Sequence, residues 1–314
     1  MRLRVALVTA CLVLGCAKER IRPPATPAPK VDNASDAIPA DLDVVVRIQW
    51  AALRSAIPGG ASALWEKLFE RGTDSVLAEA YARADVVWVA FRPGAGFEPV
   101  DAVVVLRGRF RGFDPRARTA GRWLPPRDLG AGWRRWDRTA APRRDEWMRI
   151  YERHDELLVA LTVAELDSVE RVIERGAKDS RVRAPERGLI SAAARLGGWV
   201  DASGGPRLRW LAGAESLEGY LDLSGDDAVI ELDLLFPEGA AARRAADGIG
   251  LFLEVLARDV EGLRSGVRDV TVSVVGEHVV LRYAGNVLEA SSRLGAVPRL
   301  EQAPGDAGSR RGEP

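Results

Sequence analysis

The sequence predicts an α+β protein in which antiparallel β-hairpins form the sheet and helices pack on one face of it. Three observations carry this prediction. Pairs of short segments with alternating apolar and polar residues are separated by tight polar turns, segments with helical apolar spacing follow these pairs, and the order recurs along the chain. Strands joined by short turns pair antiparallel, and helices inserted between hairpins cover one face of the resulting sheet.

The first predicted elements precede any hairpin. Residues 41–50 predict a strand, because valine or isoleucine stands at every second position from 44 to 48 and faces one side of the strand. Residues 61–71 and 73–83 predict two helical pieces, because the apolar side chains of the first lie on one face and Gly72 separates the two.

A predicted hairpin–helix–hairpin–helix unit follows. Phe113-Asp114-Pro115 places an N-cap residue directly before a proline, which predicts a helix start between two hairpins. Residues 162–165 read Thr-Val-Ala-Glu, a capping box for a second helix that ends near residue 175. The strands of the two hairpins are predicted at residues 86–91, 100–108, 146–151 and 156–161.

A second unit repeats this order. Phe236-Pro237-Glu238 begins a predicted helix that ends near residue 263, and residues 286–289 again match a capping box. The phenylalanine-led helix starts lie about 120 residues apart, as do the two capping boxes, which favours a duplication; chance recurrence of hairpin–helix units is the alternative. Residues 186–196 predict a short helix between the units. The strands of the second unit are predicted at residues 217–223, 228–236, 270–275 and 279–283.

The N-terminus predicts where the protein resides. Two arginines precede an apolar run of about 11 residues, which is shorter than the roughly 20 that span a bilayer and is typical of a secretory signal peptide. Leu12-Val13-Leu14-Gly15-Cys16 then resembles the lipobox of bacterial lipoproteins. The resemblance implies cleavage before Cys16 and lipidation of that residue, and Ala17 after it favours sorting to the outer membrane. A plain secretory signal, or a buried first strand with an incidental cysteine, is the alternative.

Composition divides the rest of the chain. The stretch after Cys16 is rich in proline and poor in large apolar residues, so we expect an extended tether. The last residues are rich in glycine, proline and charge, so we expect a disordered tail. The predicted segments are a signal peptide at residues 1–15, a lipidated cysteine and tether at 16–38, a first α+β unit at 39–177, a second at 178–296 and the tail at 297–314.

Residue types exclude several kinds of site. The two cysteines are Cys11 and Cys16, so a mature body would contain neither a disulfide nor a cysteine metal site. The two histidines, His154 and His278, fall at or beside predicted hairpin turns, and HExxH, GxSxG and phosphate-loop patterns do not occur. We therefore predict neither a metal nor a cofactor.

The segment from residue 107 to residue 153 has the most unusual composition. It holds 14 arginines against six acidic residues, with tryptophans among them. Arginine interleaved with aromatic residues can grip nucleic acid, but a lipid anchor places the protein away from it, so an anionic lipid, a glycan or an envelope protein is the expected partner. The alternative is a connection whose tryptophans complete the core and whose arginines are solvated. The predicted patch consists of Trp133, Arg134, Arg135, Trp136, Arg143 and Arg144.

These features predict a lipid-anchored envelope protein that binds or scaffolds and does not catalyse. The alternative is an envelope hydrolase that uses carboxylates of the second unit, namely Asp222, Glu231 and Asp233. Strand alternation projects these acids opposite to the apolar residues beside them, and this is equally typical of a solvated sheet face.

Overall fold

The described strands of this protein form one continuous antiparallel sheet. The computed structural model describes residues 33–56, 75–93, 99–117, 119, 121–140, 147–176, 181–197, 211–224, 227–259 and 269–286. The strands are β1 (Val44–Ile48), β2 (Ala84–Pro93), β3 (Pro99–Gly108), β4 (Arg127–Gly130), β5 (Trp133–Asp137), β6 (Arg149–Arg153), β7 (Leu157–Leu161), β8 (Ile190–Arg195), β9 (Ser216–Ser224), β10 (Asp227–Leu235), β11 (Val270–Val275) and β12 (His278–Asn286).

Helices and short turns connect these strands. The α-helices are α1 (Trp50–Ala56), α2 (Ser75–Arg83), α3 (Leu166–Arg175) and α4 (Gly239–Asp259), and 3-10 turns form at Ala34–Ala37, Pro115–Ala117 and Val163–Glu165. No helix of the described residues combines the length and the apolar character that crossing a bilayer requires.

The two predicted units meet in the middle of the sheet. The strand order is β11-β12-β10-β9-β8-β1-β2-β3-β7-β6-β5-β4, and every neighbouring pair is antiparallel. The central junction is the pairing of β1 with β8, in which Val46 lies opposite Ala192. The predicted α+β class is therefore confirmed, with the strands of both units in one sheet.

The half of the sheet around β2 and β3 is buried on both faces. Val103, Val104 and Val105 of β3 are each 0% exposed although successive side chains of a strand point to opposite faces. One face packs against α1 and α2. The other packs against the 33–38 segment and α3. The prediction that helices cover only one face is wrong here, because two separate stretches of chain cross the two sides.

The half around β10 resembles the prediction more closely. Ala242, Ala245 and Ile249 of α4 pack with Leu234 and Val279 on one face. The opposite face carries Asp222, Glu231 and Asp233, and it is covered by no helix of the described residues. The alternation expected from the sequence is thus present in β9 and β10.

Two predicted helices are wrong. Phe113-Asp114-Pro115 leads only into the 3-10 turn Pro115–Ala117, and the β4–β5 hairpin follows where a helix was expected. Pro125 and Pro126 follow eight and nine residues after Ala117, and they cannot donate the backbone hydrogen bonds of a longer helix. Residues 186–196 contain β8, because the three consecutive alanines of this strand pair with β1 and β9 on its two sides.

The predicted tether extends too far. Asn33 precedes the 3-10 turn Ala34–Ala37, and Ala37 and Ile38 are 0% and 1% exposed in the core. Residues 33–38 therefore belong to the folded body. The predicted helix at 61–71, the signal peptide, the rest of the tether and the tail lie outside the described residues.

Candidate ligand-binding cavity

The tryptophans of the predicted patch are core residues. Trp133 and Trp136 in β5 are 2% and 1% exposed. Trp133 meets the ring of Tyr151 edge-on at 6.3 Å between ring centroids, and Trp136 meets Phe113 at 6.0 Å. These indoles cannot stack on a partner, so this part of the prediction is wrong; they complete the core, which was the alternative.

The arginines between them hold the sheet together. Arg134 Nε donates to Glu152 Oε2 at 2.5 Å and Nη2 donates to Asp155 Oδ1 at 2.9 Å, and the Glu152 side chain is 1% exposed. Arg135 pairs with Asp137 at 3.0 Å and reaches Glu170 of α3 at 3.2 Å. Each guanidinium is already matched by carboxylates. Arg143 and Arg144 lie outside the described residues.

The predicted carboxylates of the second unit do not converge on a cavity. Glu231 accepts a hydrogen bond from Arg187 at 3.2 Å, whereas Asp233 contacts His278 Nδ1 at 2.8 Å. Asp222 Oδ1 accepts from the backbone N–H of Leu223. Because the three acids have separate partners along a sheet face, this geometry gives the hydrolase alternative no support.

A cavity of about 710 Å³ lies on the other half of that same sheet face. Its floor is formed by strands β1 and β2, and its walls by the N-terminal 3-10 turn, the end of α3 and residues 181–186. The lining residues are Asn33, Ser35, Asp36, Ile38, Val45, Trp88, Arg175, Gly176, Arg181, Val182, Arg183, Ala184 and Glu186. They combine apolar surface with three arginines and two acids.

Arg47 lies beside this cavity and is the least expected residue of the fold. Its side chain shares a strand face with Val45, and its cross-strand neighbours are Trp88 of β2 and Ser191 of β8. Arg47 is 7% exposed, and its Nη1 has no hydrogen-bond partner among the described residues. Burial of a polar atom without a partner costs free energy, so this guanidinium requires an explanation.

The electrostatic surroundings of Arg47 compensate its charge only in part. Burial lowers the pKa of Arg47, the nearby Glu186 carboxylate opposes this shift, and Arg107 adds to it. Arg107 itself lies over the Trp88 ring at 5.8 Å. Both guanidinium groups therefore lie next to Trp88, which lines the cavity.

An ion pair and a hydrogen bond hold the cavity wall in place. Arg181, whose side chain is 6% exposed, pairs with Asp36 and so joins the 181–186 segment to the N-terminal turn. Ser191 Oγ donates to the carbonyl of Pro185 at 2.5 Å, which joins the same segment to β8. The wall is thus fixed at both ends, as a preformed site requires.

The sequence did not predict this cavity, although it contained one indication of it. Arg47 is a charged residue in the middle of an otherwise apolar strand, Val44–Ile48. A strand with one solvated face would explain such a residue without function. Only the cover provided by residues 33–38 and 181–186 makes Arg47 a buried charge.

Among the comparisons with known proteins, only the comparison with solved structures gives matches. No protein-family model matches the chain, and comparison with curated proteins gives no match. Crystal form IV of TP0453 is similar to it with a TM-score of 0.48 and 11% identity, over 83% of this chain and 96% of that one. Crystal form III of TP0453 has a TM-score of 0.46 and 11% identity, over 83% of this chain and 97% of that one. Crystal form I has a TM-score of 0.47 and 13% identity, over 82% of this chain and 95% of that one.

Proposed function

We propose that this protein is a lipid-anchored envelope protein whose folded body binds an anionic ligand in the arginine-lined cavity. The observation that carries the proposal is Arg47, a nine-tenths-buried guanidinium whose Nη1 has no partner among the described residues. Arg47 does not itself line the cavity, but its cross-strand neighbour Trp88 does, and a turn of the guanidinium toward a bound anion would give Nη1 an acceptor. Hydrogen bonds to charged groups are stronger than those between neutral groups.

The other lining residues narrow the chemistry of the ligand. A volume of about 710 Å³ is within the range of small-molecule sites. Ile38, Val45 and Trp88 offer apolar surface, while Arg175 and Arg183 add positive charge near the rim. This combination favours a molecule with a phosphate or carboxylate group and a short apolar portion.

The predicted tether leads toward the cavity. Asn33 lies near the end of the tether predicted from the sequence, and it lines the cavity. The segment from Cys16 to Asn33 would therefore join a membrane anchor to the cavity rim, with a reach of roughly 50 Å if extended at about 3.1 Å per residue. Both the lipid anchor at Cys16 and the sorting to the outer membrane that Ala17 favours are inferred from the lipobox resemblance.

We also infer that the body arose by duplication of a five-strand unit. From the central junction outward, the strands run β1-β2-β3-β7-β6 on one side and β8-β9-β10-β12-β11 on the other. Numbered within each half, both orders are 1-2-3-5-4. The β4–β5 hairpin stands in the first half where α4 stands in the second, so the units differ in this insertion.

Charge variants of the cavity test the proposed binding. We expect Arg183→Gln to weaken the binding of hexyl phosphate or hexanoate by about threefold to tenfold, and Glu186→Gln to strengthen it by a similar factor, because the two changes alter the local charge in opposite directions. Calorimetric titration of the full chain would measure both, with hexanol as the uncharged probe. Equal binding of hexanol, or no binding of either anion, would contradict the proposal; the phosphate-to-carboxylate ratio distinguishes the two anion types.

Lipid labelling tests the proposed anchor. We expect Cys16→Ala to abolish incorporation of a clickable fatty acid in cells, because this residue carries the only thiol that remains after the proposed cleavage. Cys11→Ala is the matched control and should label as the wild type does. Equal labelling of the Cys16→Ala variant would show that the chain is not lipidated at this residue.

A further inference from the structure

The two edges of the sheet differ in how they are protected. Edge strand β4 has four residues, includes Arg127 and Asp128, and shifts register near Gly130. Short length, charge and irregularity are the usual devices that keep an edge from pairing with another chain. The β4 edge is therefore protected against pairing with a strand of another chain.

Edge strand β11 has none of these devices. Its six residues, Val-Thr-Val-Ser-Val-Val, carry no charge and no proline, and they pair with β12 without a register shift. Val274 and Val275 are 36% and 66% exposed. No described strand lies beyond β11, so its outer backbone groups are directed away from the sheet.

We infer that β11 pairs antiparallel with β11 of a second copy of this chain, across a twofold axis perpendicular to the sheet. Directly opposite residues in such a pair point to the same face. With Val272 on the axis, Val270 lies opposite Val274 of the second copy and Thr271 lies opposite Ser273. Valines thus face valines on one side and hydroxyls face hydroxyls on the other, and no like charges meet.

Helix α4 favours a second copy of this chain, and not a short peptide, as the partner of the β11 edge. It packs on β11 and β12, and it exposes Leu251 (64%) and Val255 (36%), which are neighbours on the helix surface. The proposed axis preserves the sheet face, so both copies of α4 lie on the same side of the joined sheet. A stable dimer buries about 800 Å² per partner, more than a six-residue strand supplies alone, so the proposed pairing also requires contact between the two copies of α4. The arrangement closes as a dimer because the interface is self-complementary.

Disulfide trapping in the full chain tests this pairing. We expect the Thr271→Cys/Ser273→Cys variant to form a covalent dimer under mild oxidation, at a yield at least tenfold above an Arg127→Cys/Leu129→Cys control at the β4 edge. Residues directly opposite in antiparallel strands are about 4.5 to 5.5 Å apart between Cα atoms, which a disulfide can bridge. Thr271 and Ser273 are exposed, so the changes do not touch the core.

A charge variant provides the second measurement. Thr271→Lys/Ser273→Lys places lysines opposite lysines, so we expect chemical crosslinking of the full chain in detergent to lose its dimer band while the thermal midpoint stays within a few degrees of wild type. Equal trapping at the two edges, or trapping of β11 to a different protein or to another part of the same chain, would overturn the inference. Ligand binding at the cavity does not enter either measurement.

Discussion

Replacing Arg47 by methionine should make this protein more stable and should remove its anion binding. The variant exchanges a buried guanidinium, whose Nη1 has no described partner, for an apolar side chain of similar length. Removal of a buried, incompletely paired charge raises the free energy of unfolding by about 1–3 kcal/mol. In a chain of this size this raises the melting temperature by several degrees. Differential scanning calorimetry of the ligand-free protein would measure the shift.

The same variant should bind hexyl phosphate at least tenfold more weakly than the wild type, because a charge-assisted hydrogen bond contributes about 1.5–3 kcal/mol. Arg282→Met is the matched control: Arg282 lies exposed on β12, on the same sheet face but far along the strand order from β1. It should change neither quantity appreciably. If Arg47→Met lowers the melting temperature and leaves anion affinity unchanged, Arg47 has a structural role and the proposed function fails.

Replacing Arg92 by methionine should have the opposite effect on stability, with a loss of about 3–5 kcal/mol. Arg92 Nη2 binds Asp41 Oδ2 at 2.7 Å, and Nη1 reaches Asp101 at 3.4 Å and pairs with Glu165. Burial lowers the pKa of Arg92, but Glu165, aided by Asp41 and Asp101, outweighs this and raises it. Because the side chains of Glu165 and Asp101 are 0% and 10% exposed, loss of the cation leaves two buried carboxylates poorly compensated.

Denaturant unfolding with two further variants separates this explanation from simple loss of packing. Arg92→Met/Glu165→Gln should recover part of the lost free energy, since it removes one of the stranded charges. Arg116→Met is the control at an exposed pair with Asp114, and it should leave the free energy of unfolding almost unchanged. The charge argument would be contradicted if Arg92→Met/Glu165→Gln were less stable than Arg92→Met by as much as Glu165→Gln alone destabilises the wild type.

Arg47 and Arg92 show why sequence reasoning stops short of the site. Arg47 stands in a predicted strand and Arg92 directly follows another, and nothing within a few residues of either distinguishes them. Arg92 is compensated by acids from residues 41, 101 and 165, whereas among the described residues the acid that acts on Arg47 is Glu186 of the cavity wall. The difference arises from segments that are distant in the chain.

The Trp133–Trp136 segment, Trp-Arg-Arg-Trp, failed as a predicted patch for a related reason. The spacing of three places one tryptophan on each face of β5, and both faces of this half of the sheet are covered, so both rings are buried. The intervening arginines then meet carboxylates of β6, β5 and α3. Composition shows which residue types are present, but only packing decides whether they remain accessible.

The sequence by itself determined the α+β class, the hairpins β2–β3, β6–β7, β9–β10 and β11–β12, and the long helix α4. It could do so because these depend on side-chain periodicity and turn residues within some 20 positions. The tertiary structure alone decided that β8 is a strand, that β1 and β8 join the two halves, and that Arg47 is buried beside a cavity. The physical reason is that burial depends on which segments cover a strand, and here residues 33–38 and 181–186 cover the same face of β1 although almost 150 positions separate them along the chain.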